Sequence, residues 1–283
     1  MTGSTLHALA LAGAFWMLAC APAPSAPGAA GASASLFAER AQEQWRLPHE
    51  LAEISGLATT ADGRVFTHDD ERAVIYEINA SEGRIVKTFA LGDPVQTGDF
   101  EGIAITPDGA FNLITSRGML YRFAEGADGA NVSFETMDTG LQRTCEIEGL
   151  AYFVAEESLI IACKRMNDRA MRGNVSLYSW RADRGAQPWL TLPEADIASR
   201  AGVEDFRPSS VEIDRVSGRI LLLSANDGAI AELNREGEIL SARALGARHA
   251  QAEGVTVTRD GALLISDEAA GGQAMLSRYA RAP

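Results

Sequence analysis

The sequence predicts an all-β chain folded as a single β-propeller of four-stranded antiparallel blades. Three observations carry that expectation. One strand start recurs five times, as Gly56-Leu57-Ala58, Gly102-Ile103-Ala104-Ile105, Gly149-Leu150-Ala151-Tyr152, Ser210-Val211-Glu212-Ile213 and Gly254-Val255-Thr256-Val257, at spacings of 46, 47, 61 and 44 residues. A polar turn follows most starts, including Ala61-Asp62-Gly63, Pro107-Asp108-Gly109, Val216-Ser217-Gly218 and Arg259-Asp260-Gly261. Asp-Gly and Ser-Gly steps supply the positive backbone angles that tight hairpins need. Short apolar strands fill the rest of each period, and such strands repeating at a period in the forties spell a propeller blade.

The elements follow in order. Second strands are expected at 65–67, 111–115, 159–163, 220–224 and 263–266, and third strands at 74–78, 119–123, 175–180, 230–233 and 275–279. A fourth strand follows in most copies, as at 85–91 and 239–245. The last copy stops after its third strand, so residues 44–47 are expected to supply the fourth, closing the ring and hiding two sheet edges. Five strand starts make five blades the expectation, with six the alternative that the 61-residue gap leaves room for. An insertion is preferred there, because residues 194–201 read as a short helix.

Composition narrows the function. Of 283 residues, 46% are hydrophobic, too rich for a disordered chain. The net charge of −13 excludes mass binding to a nucleic-acid backbone, which needs a basic face. Residues 6–19 form an apolar run ending at Met17-Leu18-Ala19-Cys20, the pattern of a lipoprotein signal peptide, though no Lys or Arg precedes the run. The expected organisation is a signal peptide at 1–19, a flexible Ala/Pro/Gly/Ser tether at 20–35 and the propeller at 36–283, with Cys20 lipidated. That places the domain on the periplasmic side of the envelope, held to a membrane by lipid. Ala21 after the cysteine favours the outer membrane.

Two cysteines remain in the domain. Residues 147–153 and 159–163 read as one hairpin, which brings Cys145 close to Cys163. An oxidising compartment then favours a disulfide, with two buried thiols as the alternative.

A propeller also says where a site would lie. The start of each first strand and the end of each second strand open on the same face. Before the first strands stand Glu101, Glu148 and Glu253, with Glu53 and Ser55 in the first copy and Ser209 in the fourth. After the second strands stand His68-Asp69-Asp70-Glu71, Ser116-Arg117, Lys164-Arg165, Asn226-Asp227 and Asp267-Glu268. Convergent carboxylates suit a hard cation, and Ca²⁺ is the cofactor this donor set implies, with Glu101, Glu148, Glu253 and Asp267 as candidate ligands. Zn²⁺ is disfavoured, since the domain offers only His49, His68 and His249. The Glu-Gly steps have a structural alternative, the glycine allowing close strand packing and the glutamate bonding neighbouring amides. Asp70, Lys164, Arg165, Asn226 and Glu268 are the candidate ligand contacts, Lys164 having an ion pair to Glu148 as its simpler role.

Glu53-Ile54-Ser55-Gly56-Leu57, Asp99-Phe100-Glu101-Gly102-Ile103, Cys145-Glu146-Ile147-Glu148-Gly149-Leu150-Ala151-Tyr152 and Gln251-Ala252-Glu253-Gly254-Val255 resemble successive blade signatures of the SdiA-regulated family, over about residues 43–281. The resemblance implies an exported or membrane-anchored bacterial β-propeller. It departs at Ser116-Arg117-Gly118, where an acidic pair is expected, and at Asn226, where an acid is common. Two functions compete. One is a lipid-tethered module that binds a small ligand or an envelope protein at its mouth, with Ca²⁺. The other is a metal-dependent hydrolase of a lactone or phosphoester, with His68 or Asp69 as the base. Neither Gly-x-Ser-x-Gly nor His-Glu-x-x-His occurs.

Overall fold

Twenty-one strands are the main elements of a computed structural model, which describes residues 1–3 and 35–282. The signal peptide, Cys20 and nearly all of the tether lie outside the described residues. Among the described residues, no helix is long and apolar enough to cross a membrane.

Strand β1 (Glu43–Arg46) comes first, but it belongs to the last blade. Blade one holds β2 (Ile54–Thr59), β3 (Val65–Asp69), β4 (Val74–Asn79) and β5 (Arg84–Leu91). Blade two holds β6 (Phe100–Ile105), β7 (Phe111–Thr115) and β8 (Met119–Phe123). Its chain then detours through β9 (Asn131–Val132) before completing the blade with β10 (Phe134–Asp138). Blade three holds β11 (Cys145–Phe153), β12 (Ser158–Met166), β13 (Asn174–Arg181) and β14 (Gly185–Pro193), followed by helix α1 (Glu194–Ala201). Blade four holds β15 (Ser210–Ile213), β16 (Ile220–Ser224), β17 (Ala229–Leu233) and β18 (Ile239–Ala244). Blade five holds β19 (Ala252–Val257), β20 (Leu263–Asp267) and β21 (Met275–Tyr279), closed by β1 in the register Glu43↔Arg278 to Arg46↔Met275.

Five blades are therefore present, and the 61-residue gap is filled by α1, not by a sixth. The helix buries Ile197, Ala198 and Ala201 against blades three and four. One apolar cluster fills each of the five interfaces between blades. The interface of blades one and two is aromatic, with Phe66 and Phe111 edge-to-face at 4.9 Å and Phe89 and Phe111 at 5.9 Å. The detour through β9 pairs in parallel with β5, Ala90↔Asn131 and Leu91↔Val132. Blade two thus covers the free edge of blade one, which would otherwise be a template for pairing.

The inner strands come close enough to require glycine. A Cβ on Gly102 would lie 2.6 Å from the Leu150 amide nitrogen, and one on Gly149 would lie 2.9 Å from that of Val211. The structural account of these glycines holds: each lets its blade press on the next. Beside Gly149, the Cys145–Cys163 pair is a disulfide with 5.7 Å between its Cα atoms.

Candidate functional site

The mouth is built from backbone irregularities. In blades two, three and five the pairing of first and second strands skips one residue, between Phe100 and Gly102, Ile147 and Gly149, and Ala252 and Gly254. The skipped residues are Glu101, Glu148 and Glu253. A β-bulge leaves its extra residue out of the ladder and re-aims the side chain. Blade one has a similar shift across Ser55-Gly56, whereas the short first strand of blade four pairs without one. Ser55, Glu101, Glu148, Ser209 and Glu253 thus hold equivalent places around the axis.

The serines of this ring join neighbouring blades. Ser209 Oγ donates to the Ala252 carbonyl at 2.8 Å, and Ser266 Oγ donates to the Ser55 carbonyl at 3.3 Å. Among the described residues, no backbone amide of a neighbouring blade donates to these glutamates, whose side-chain partners are Lys164 for Glu148 and Gln251 for Glu253. Glu148 is 5% exposed and meets Lys164 Nζ at 2.9 Å. Burial raises its pKa more than Lys164 lowers it. On Lys164, burial works downward, but the Glu148 carboxylate outweighs it and holds the ammonium above its ordinary value. Burial, with Glu148 adjacent, pushes Glu101 up to about 9, and burial with Glu148 and Glu268 pushes Glu253 up to about 8.

A second group stands on the blade-one and blade-five side. Carboxylate oxygens of Glu53, Asp70 and Glu268 all lie within 4.8 Å of one another. Burial and then the neighbouring acids raise Asp70 to about 6 and Glu268 to about 7. Asp70 Oδ1 is buried without a hydrogen-bond partner. Gln251 Nε2 donates to Glu268 and, at 3.3 Å, to Glu253, linking this group to the ring. Among the described residues, Lys164–Glu148 is the only ion pair made by these six acids.

Several expected site residues lie elsewhere. Asp267 is 2% exposed and turns from the mouth to His249 Nδ1, at 2.8 Å. Successive strand residues point to opposite faces, so Glu268 takes the place expected of Asp267. His68 is fully buried: the Gly56 amide donates to its Nε2 and its Nδ1 faces the Asp69 carbonyl, both at 3.1 Å. Burial lowers its pKa to about 4. With both nitrogens occupied and no solvent access, His68 cannot activate a water at the mouth. Asp69 Oδ1 accepts from the amides of Glu71 at 3.1 Å and Arg72 at 2.8 Å, and so shapes a turn. Arg165 is exposed and pairs with Glu146 at 2.6 Å, and Asn226 is exposed beside Asp227, which accepts from Ser224 Oγ at 2.7 Å.

Two features escaped the sequence reading. Glu53 was visible before the first strand, but only the fold brings it to Asp70 and Glu268. The buried contact of His249 with Asp267 and with the Tyr279 hydroxyl, at 2.5 Å, joins residues far apart in sequence and has no local signal.

The family described as SdiA-regulated matches this chain over residues 41–270. Among solved structures, Myxococcus xanthus glutaminyl cyclase is similar with a TM-score of 0.57 at 12% identity, covering 86% of this chain and 97% of that one. The PQQ-bound aldose sugar dehydrogenase of Streptomyces coelicolor has a TM-score of 0.53 at 12% identity, covering 84% and 97%. A luciferin-regenerating enzyme gives 0.51 at 10% identity, covering 81% and 91%. At these identities the likeness extends to the fold alone.

Proposed function

The chain belongs to the SdiA-regulated family, and from that premise we propose that it is a binding module of the cell envelope whose mouth takes Ca²⁺. One observation carries the reading. Glu53, Asp70 and Glu268 bring carboxylate oxygens within 4.8 Å of one another with no ion pair among them. Ca²⁺ takes six to eight oxygens at about 2.3–2.6 Å, and each of these three carboxylates brings one oxygen to the common point, the rest of the shell being left to their second oxygens and water. A divalent cation there would remove the repulsion that raises Asp70 and Glu268, and it would give Asp70 Oδ1 a partner. The donor set is hard oxygen only, which suits Ca²⁺ and not Zn²⁺. Glu253 stands beside this group and Glu101 beside Glu148, as further polar contacts for a ligand that follows the ion, such as a small molecule or an envelope protein.

Calorimetric titration of the protein with CaCl₂, with thermal melts in EDTA and in Ca²⁺, tests this. A ligand of the native state stabilises by mass action, by ~3 kcal/mol at about a hundredfold its Kd. The expected result is a rise in Tm specific to Ca²⁺ that Asp70→Asn abolishes. Absence of heat and of a Tm shift at millimolar Ca²⁺ overturns the metal reading.

The hydrolase alternative loses His68 as its base, and Asp69 is occupied in a turn. It survives only if lactone or phosphoester turnover is measured and depends on Ca²⁺. We further propose that Cys20 carries the lipid that holds the module to the membrane. Incorporation of labelled fatty acid, lost in Cys20→Ala, is the expected outcome.

A further inference from the structure

The pole opposite the mouth carries a separate cleft. It lies between blades two and three, beyond the end of β6 and beside the β11–β12 turn, with a volume of about 490 Å³. Ligand pockets occupy ~300–1,000 Å³, so it has room for a small molecule.

The cleft has an aromatic wall and a rim of two ion pairs with one further carboxylate, Glu157. Tyr152, Leu159 and Trp180 share the face of blade three that lines it. Trp180 is 7% exposed, and its indole N–H, a donor only, has no acceptor in the protein. Deeper in, Asn112 is 1% exposed and makes only long bonds, at 3.5 and 3.4 Å, to the carbonyls of Ala104 and Ala110.

Two ion pairs flank this wall. Arg122 meets Asp108 at 2.7 Å on one side, and Arg181 meets Asp183 at 3.2 Å on the other. Arg181 is also held by the Glu156 carbonyl at 2.9 Å. Next to it, Glu157 keeps a left-handed backbone with φ of 49°, where glycine would be less strained. Each guanidinium is taken by a carboxylate, so a bare anion finds no free cation here, and the Glu157 carboxylate on the lining adds a further acceptor. Each pair instead presents donors and acceptors side by side.

We propose that this cleft is a saccharide-binding site. A neutral pyranose has a C–H face that packs on an aromatic wall, and vicinal hydroxyls that both donate and accept. The wall of Trp180 and Tyr152 matches the first, and the Asp108–Arg122 and Arg181–Asp183 pairs match the second. The Trp180 N–H itself stays buried, so the ring and not the donor is what the wall offers. The site is independent of the cation reading of the mouth, since no residue is shared between them.

Calorimetry with cellobiose and N,N′-diacetylchitobiose, in EDTA, is the test. Saturable binding is expected in the wild type. Tyr152→Ala removes the half-buried part of the aromatic wall and should weaken binding about 3- to 10-fold. Asp183→Asn, at a residue 60% exposed, should weaken it comparably and guards against a Tyr152→Ala chain that fails to fold. No heat with either sugar at millimolar concentration overturns the proposal. So does binding that neither substitution alters, or binding of an unglycosylated peptide library in place of the sugars.

Discussion

The two poles of the propeller treat buried carboxylates in opposite ways. Asp214, just past the end of β15 on the pole away from the mouth, is 0% exposed. Arg281 grips it with two hydrogen bonds, at 3.0 and 2.7 Å. Burial alone would raise its pKa, but Arg281 and Ser217 outweigh it and hold the carboxyl below its ordinary value. At the mouth, Glu101 and Glu253 are largely buried as well, yet they meet no cation directly and their pKa values rise. An ionised group taken from water costs several kcal/mol unless it is paired. The fold meets that cost for Asp214 with its own arginine and leaves it unmet at the mouth. Perturbed, unpaired acids in a cleft point to function more than to stability.

Removing the partner at the satisfied pole should have the largest effect. Arg281→Ala leaves Asp214 buried without its cation and is expected to cost about 3 kcal/mol, the lower end of the range for fully buried pairs because Arg281 is 27% exposed. Urea unfolding would measure it. A cost under about 1 kcal/mol would mean that Asp214 finds water, and the contrast between the poles would collapse.

The pH dependence should differ in sign. Glu253 has an ordinary pKa of 4.5 and a folded value of about 8. Between these values the folded chain binds more protons than the unfolded one, so stability falls as pH rises through that window. For Asp214 the native value is depressed, so its stabilisation is present above 3.8 and is lost as pH falls through the native value. Melts from pH 5 to 8 in EDTA should therefore show a declining Tm, and Glu253→Gln should flatten the decline and gain about 1 kcal/mol at the alkaline end. A Tm that rises over this range in EDTA would contradict the unpaired state of the mouth. Added Ca²⁺ should reverse the slope, since the ion requires ionised carboxylates.

The blade repeat was legible because it is local: strand, turn and period are read within about 45 residues. The closing strand was legible for the same reason, displaced only from 44–47 to Glu43–Arg46. Choosing the residue that enters the mouth required more. At Asp267-Glu268 the reading took the wrong neighbour, because a strand's phase is set by its partners and not by its own residues. The bulges at Glu101, Glu148 and Glu253 raise the same difficulty, although the glycine after each glutamate marks the place. Strand β9 left no signal, since two residues in a polar loop carry no period.

A smaller effect sharpens the contrast at the paired pole itself. Glu125, on the detour between β8 and β9, lies between Arg64 and Lys87 of blade one. Its pKa is lowered by Arg64 first, against burial, with Lys87 adding to the effect. The geometry resembles the Asp214 pair, but Glu125 is 28% and Arg64 36% exposed, so water already screens most of the attraction. Glu125→Gln should cost only about 0.5–1 kcal/mol, and the difference should shrink further at molar salt, where the Debye length is ~3 Å. The Arg281→Ala cost should hardly change with salt. If both costs fell together, exposure would not be what separates them, and burial of Asp214 would no longer explain why its arginine is needed.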